Sequence, residues 1–192
     1  MDFDGPAQQI FLQPGEIYVS EKPAVVSTLL GSCVAVTMFC SRKGLASICH
    51  GLLPTCRGEK PCTCGEFCQE GIRFVDCSIM RMLGWFEQKG TAREEIVVKV
   101  FGGSDMIRGG MGNLRESVGQ KNIITAFTVI EKEKLSIAAS DVGGLKGRKI
   151  IFSTKTGEVF LKHLQKSDLE SHCVAGGDDP MQIIRNNKVF LG

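Results

Sequence analysis

Apolar residues fall three or four apart from Phe74 to Gln88, at Val75, Ile79, Met82, Leu83 and Phe86, with acidic Asp76 near the start and Gly90 just past the end. That spacing predicts an amphipathic helix. Ile123, Phe127 and Ile130 form a second stripe and predict another helix from about Gln120 to Lys134. Elsewhere the apolar residues gather in short runs suited to strands. IVVKVF, from Ile96 to Phe101, is β-branched and stops at Gly102-Gly103. Leu135 to Ser140, Arg148 to Ser153 and Glu158 to His163 read as three further strands, separated by the turns Asp141-Val142-Gly143-Gly144 and Thr156-Gly157.

Earlier in the chain, CVAVTMF from Cys33 to Phe39 and the run from Leu45 to Leu53 predict a hairpin across Ser41-Arg42-Lys43-Gly44. If Arg42-Lys43 or all four turn residues form the loop, Ala35 faces His50 and Cys33 lies two residues along on the same face. A loop of three or five residues would instead place Cys33 and His50 on opposite faces.

Strands outnumber helices, the first two form a hairpin and the last ones resemble a meander, so the expected class is α+β rather than doubly wound. At 192 residues and 43% hydrophobic, the chain has the size of one domain with an appendage. The expected division is a domain over residues 1–166, carrying a Cys-rich insert at 55–69, and a weakly periodic extension over 167–192.

Lysine and arginine number 23 against 21 acids and are scattered, which gives no footprint for nucleic acid. No stretch has the length and hydropathy of a membrane span or a signal segment, so a cytoplasmic protein without membrane insertion is expected. Nine cysteines, an odd number, without an export signal point to reduced thiols rather than a disulfide framework.

A cysteine becomes a nucleophile when a base or positive charge nearby favours its thiolate. His50 is placed to be that base for Cys33. The small neighbours Gly31 and Ser32 permit close backbone approach, and amides near Ser32 and Cys33 could hold an oxyanion. Taken alone, a cysteine entering a strand is more often a small core residue.

The surrounding motifs change the weighting. Ser27-Thr28-Leu29-Leu30-Gly31-Ser32-Cys33-Val34-Ala35-Val36 is followed by His50-Gly51-Leu52-Leu53-Pro54. Phe101-Gly102-Gly103, Val118-Gly119-Gln120-Lys121-Asn122, Asp141-Val142-Gly143-Gly144 with Gly147-Arg148, and Thr156-Gly157 come after. Over about residues 15–164 this series resembles the CheD family of chemoreceptor glutamine deamidases.

The resemblance implies a layered α/β/β fold similar to that of the cytotoxic necrotizing factor toxins. It also implies an amidohydrolase that converts glutamines of chemoreceptor cytoplasmic domains to glutamate with release of ammonia. By position, the nucleophile would be Cys33, the base and acid His50, and the third member Ser27. The family carries threonine at that third place, and a register shift of one residue would exchange Ser27 for Thr28. Family members also bind a CheC-type response-regulator phosphatase, so a regulatory binding module is the alternative.

No cofactor is expected. The cluster Cys56, Cys62, Cys64 and Cys68 departs from the family pattern. Four sulfurs could hold zinc, but the paired C-x2-C knuckles of structural sites are missing. A loop of free thiols and a redox-sensitive lid are the other readings. Cys40, Cys49 and Cys77 are expected to be packing residues, and His163 and His172 surface residues.

Overall fold

A computed structural model describes residues 7–56, 71–105 and 116–164, and the backbone of 190–191. In chain order the elements are β1 (Gln8–Phe11), β2 (Ile17–Ser20), β3 (Ala24–Leu30), β4 (Val34–Cys40), β5 (Leu45–Gly51), α1 (Val75–Gln88), β6 (Val97–Gly102), α2 (Val118–Lys132), β7 (Ile137–Val142), β8 (Arg148–Ser153), β9 (Val159–His163) and β10 (Phe190–Leu191). The strands form two sheets, ordered β1-β3-β8-β9-β10 and β2-β5-β4-β6-β7.

Alternation along β4 and β5 separates two cores. Val34, Val36, Met38, Cys40, Leu45 and Cys49 pack with Val75, Ile79, Met82, Leu83 and Phe86 of α1 and with Ala126, Val129 and Ile130 of α2. Ala35, Phe39, Ala46 and Ile48 pack on the other side, with Val26 and Leu30 of β3 and with Ile150 and Phe152 of β8. Helices therefore cover one face of the second sheet and the first sheet covers the other, which is the expected α/β/β layering. Each fully buried Leu, Ile or Phe on these faces contributes roughly 1.5–3 kcal/mol.

The hairpin closes over the whole of Ser41 to Gly44, because Cys40 pairs with Leu45 and Ala35 with His50. Gly44 supplies the positive φ of that turn. α2 starts with Ser117 accepting from the Gln120 amide while the Gln120 side chain accepts from the Ser117 amide. This capping box satisfies first-turn donors and sets the helix start two residues before the predicted one.

Two expectations about order along the chain are corrected. The sequence reading began the sheets at Cys33, whereas β1, β2 and β3 precede it. The final strands are no meander. β7 joins β6 in parallel through the α2 crossover, and of the three predicted strands β7, β8 and β9 only the last two pair with each other. Parallel pairing requires such a crossover, and α2 provides it.

Of the segments set apart in the sequence, residues 57–69 of the Cys-rich insert and 167–189 and 192 of the extension lie outside the described residues. Phe190–Leu191 runs antiparallel to β9 at the edge of the first sheet. No described helix is long and apolar enough to cross a membrane.

Candidate active site

Cys33 stands immediately before β4, half-buried, beside exposed Ser32. Its carbonyl accepts from the Gly103 amide at 2.7 Å, and the Gly31 carbonyl accepts from the Ser104 amide at 2.8 Å. This close seating needs Gly102, whose φ is +107° and where a Cβ would stand 2.2 Å from the Cys33 carbonyl oxygen. Only glycine tolerates both conditions.

His50 lies on the facing strand, paired with Ala35, and is 1% exposed. Because Cys33 and Ala35 are two apart, Cys33 and His50 share the face between the sheets. Gly51 follows because Val75 at the start of α1 crowds that position, leaving a Cβ only 2.6 Å from its Cγ2.

Ser27 and Thr28, the two candidates for the third place, point in opposite directions because successive residues of β3 alternate. The Ser27 hydroxyl faces away from the layer between the sheets and donates to the Ile10 carbonyl at 3.4 Å. Thr28 points inward, and its Oγ1 stands 2.7 Å from His50 Nδ1. The place that the family resemblance gave to Ser27 thus falls geometrically to Thr28, because β3 turns only every second side chain toward the imidazole.

Thr28 Oγ1 also donates to the Leu12 carbonyl at 2.8 Å. A hydroxyl has one proton, so with that proton on Leu12 the short contact to the ring requires Nδ1–H to donate to Thr28. Nε2 is then the unprotonated nitrogen. It is buried and has no hydrogen-bond partner among the described residues.

Burial lowers the His50 pKa to about 4, against smaller opposing effects of the Leu12 carbonyl and Glu16. Burial also raises the Cys33 thiol, while its own backbone amide pulls the other way. At neutral pH the resting pair is therefore a thiol and a neutral imidazole. The sequence leads one to expect His50 to lower the thiol pKa, whereas the shift at Cys33 is upward, with burial its largest cause.

The other described cysteines differ. Cys40 and Cys49 are fully buried in the helix-side core, and burial raises Cys49 to about 12. Cys77 is also buried.

Comparisons with known proteins identify the family to which this fold belongs. A family model described as CheD chemotactic sensory transduction matches residues 61–163. A probable chemoreceptor glutamine deamidase CheD 2 of Geobacter sulfurreducens is 44% identical over 162 residues, covering 84% of this chain and 94% of its own. The chain belongs to the CheD family. That alignment leaves fewer residues outside than precede Cys33, so it includes the Cys33 and His50 segments although the family-model match starts after them. Probable CheD deamidases of Oleidesulfovibrio alaskensis and Maridesulfovibrio salexigens are 40% and 36% identical, over 82% and 83% of this chain and 74% and 94% of theirs.

Several groups that organise this CheD fold around Cys33 were not singled out in the sequence. Leu12 supplies its carbonyl to Thr28. Asn122, buried in α2, donates through Nδ2 to the carbonyls of Ser32 and Leu52 at 2.9 and 3.0 Å. Arg148 Nη1 and Nη2 donate to Ser104 Oγ at 2.6 Å and the Gly143 carbonyl at 2.8 Å, and Nε pairs with Asp141 Oδ1 at 2.6 Å. Asn122 and Arg148 both occur within motifs that carried the resemblance, but a backbone-directed hydrogen bond leaves no signature in residue spacing.

Among the described residues no three His, Cys, Asp or Glu side chains gather as metal ligands. Cys56 is described and half-buried. Cys62, Cys64 and Cys68 lie outside the described residues, as does His172. His163 is exposed and meets Asp141 Oδ2 at 3.2 Å.

Proposed function

We propose that this chain is a cytoplasmic protein-glutamine deamidase acting on chemoreceptors, with Cys33 as nucleophile, His50 as base and acid, and Thr28 holding the imidazole. The observation that carries the reading is the bare Nε2 of a buried histidine whose tautomer is set by Thr28 and Leu12, on the face it shares with half-buried Cys33. Membership of a family whose relatives are named chemoreceptor glutamine deamidases supplies the substrate class.

In the reaction, His50 Nε2 takes the Cys33 proton as sulfur attacks the side-chain amide carbon of glutamine. Proton transfer accompanies attack, because thiol and imidazole are both neutral at rest. The carbonyl oxygen gains the negative charge and the Cys33 amide stabilises it. The C–N bond breaks, His50 returns its proton to nitrogen, and ammonia leaves a thioester. Water then loses a proton to His50 and attacks the thioester. Breakage of the C–S bond restores the thiol and yields glutamate, placing a negative charge where a neutral amide stood.

Peptide mass spectrometry of a chemoreceptor cytoplasmic domain, incubated with the wild-type protein or Cys33→Ala, tests the proposal. Conversion of particular glutamines by wild type alone supports it. No conversion, with a CheC-type phosphatase present or absent, would replace it with the regulatory binding module.

A further inference from the structure

Asn122 sits one turn into α2, fully buried, with Nδ2 bridging the carbonyls of Ser32 and Leu52. It therefore joins the turn before the nucleophile to the segment after the histidine. Its Oδ1 is buried and has no partner among the described residues. Leaving such an oxygen unsatisfied is unfavourable, so this placement does not serve the hydrogen bonding of asparagine itself.

The consequence lies in the peptide unit between Ser32 and Cys33. A trans peptide directs its C=O and N–H to opposite sides, and no described bond is cis. Fixing the Ser32 carbonyl on Asn122 therefore fixes the Cys33 N–H on the side away from α2. The neighbouring unit is held likewise, since the Gly31 carbonyl takes the Ser104 amide. Two glycines allow α2 to come close enough. A Cβ at Gly119 would stand 2.6 Å from the Gly103 carbonyl oxygen, and one at Gly103 would stand 2.4 Å from Ile123 Cγ1.

We infer that Asn122 is a positioning residue for the oxyanion: by clamping the Ser32 carbonyl it aims the Cys33 amide at the oxygen that becomes charged when sulfur attacks. The inference rests on Cys33 being an acyl-transfer nucleophile, and it deepens the proposed function without depending on which glutamines are chosen. Preorganised donors act only where charge develops, and removing or misaiming one commonly costs a hundredfold or more.

Two reactions of Cys33 separate aiming from general integrity. Acylation by p-nitrophenyl acetate passes through an oxyanion, whereas alkylation by iodoacetamide needs the thiolate but forms no oxyanion. Both are measured on the full chain, with Cys33→Ala as background and labelled Cys33 identified by mass spectrometry. For Asn122→Ala we expect acylation to fall at least about tenfold, with alkylation staying within about threefold of wild type. Asn122→Ser carries the same expectation and replaces the alanine variant if that one gives no cooperative melt. Unchanged acylation, or equal loss of both reactions, overturns the inference. Wild-type acylation without receptor deamidation would instead overturn the proposed substrate while leaving the role of Asn122 to be decided by the acylation-to-alkylation ratio.

Discussion

Thr28 Oγ1 lies 2.7 Å from His50 Nδ1 while giving its own proton to Leu12, so one threonine hydroxyl sets which imidazole nitrogen is bare. Thr28→Val keeps the shape of the side chain and removes this relay. Deamidation should fall on the order of tenfold to a hundredfold as the ring loses its fixed tautomer. Stability should fall by about 1 kcal/mol. Ser27→Ala, on the opposite face of β3, should keep activity within about twofold. Initial rates for both variants check this, and equal losses would remove the distinction between the two hydroxyls.

Activity should be flat across neutral pH. With His50 lowered to about 4 and Cys33 raised above the ordinary thiol value, kcat/KM should not decline between pH 5.5 and 8. A limb centred near the ordinary histidine value would show that the essential base is not this buried ring.

The same burial makes folding sensitive to acid. Between the unfolded histidine value of about 6.5 and the folded value of about 4, the unfolded chain binds the extra proton. Stability therefore falls as pH drops through that interval, by up to about 3 kcal/mol from this one residue. Urea unfolding of wild type and His50→Gln at pH 7 and 4.5 measures it. The variant should show the smaller pH dependence.

Gly102→Ala should be among the most damaging single-methyl additions. The position combines φ +107° with a 2.2 Å approach to the Cys33 carbonyl, so the new Cβ strains β6 and displaces the Cys33 turn together. A loss of at least about 2 kcal/mol is expected. Thermal melts should show it, and iodoacetamide labelling of Cys33 should change as well.

Arg148→Met tests the buttress behind Ser104. The guanidinium is nearly fully buried, and its removal takes the donor from the Gly143 carbonyl and leaves Asp141 with only the exposed His163. A cost of about 3–5 kcal/mol is expected, with Arg148→Lys recovering little because a single ammonium cannot reproduce the fork. Denaturant midpoints of the two variants provide the check.

Much of this arrangement was legible in the sequence because periodicity reports burial. The α1 stripe and the β8 limits follow from it, whereas the loop length of the hairpin stayed open in the sequence, and the observed pairing of Cys40 with Leu45 decides that Cys33 and His50 share a face. What escaped depends on contacts between distant segments. β3 reads AVVSTLL, with interior positions on both faces, and so lacks clean alternation. β1 and β2 are four residues each, too short to show a period. The choice between Ser27 and Thr28 required knowing that β3 is a strand and which of its faces meets the other sheet. Leu12 and Asn122 act on or through backbone carbonyls, which every residue type possesses.

The position of β3 also governs when the proposed reactive centre can be assembled. Cys33, His50 and Thr28 all belong to the first fifty residues, but β3 is seated between β1 and β8, with Val25 opposite Ser153 and the Ala24 amide bonded to Thr154. A chain emerging from the ribosome therefore carries all three groups long before it can hold them together. The Thr28 strand gains its second neighbour only after β8 has been made, so this long-range pairing links assembly of the proposed site to near-completion of the domain.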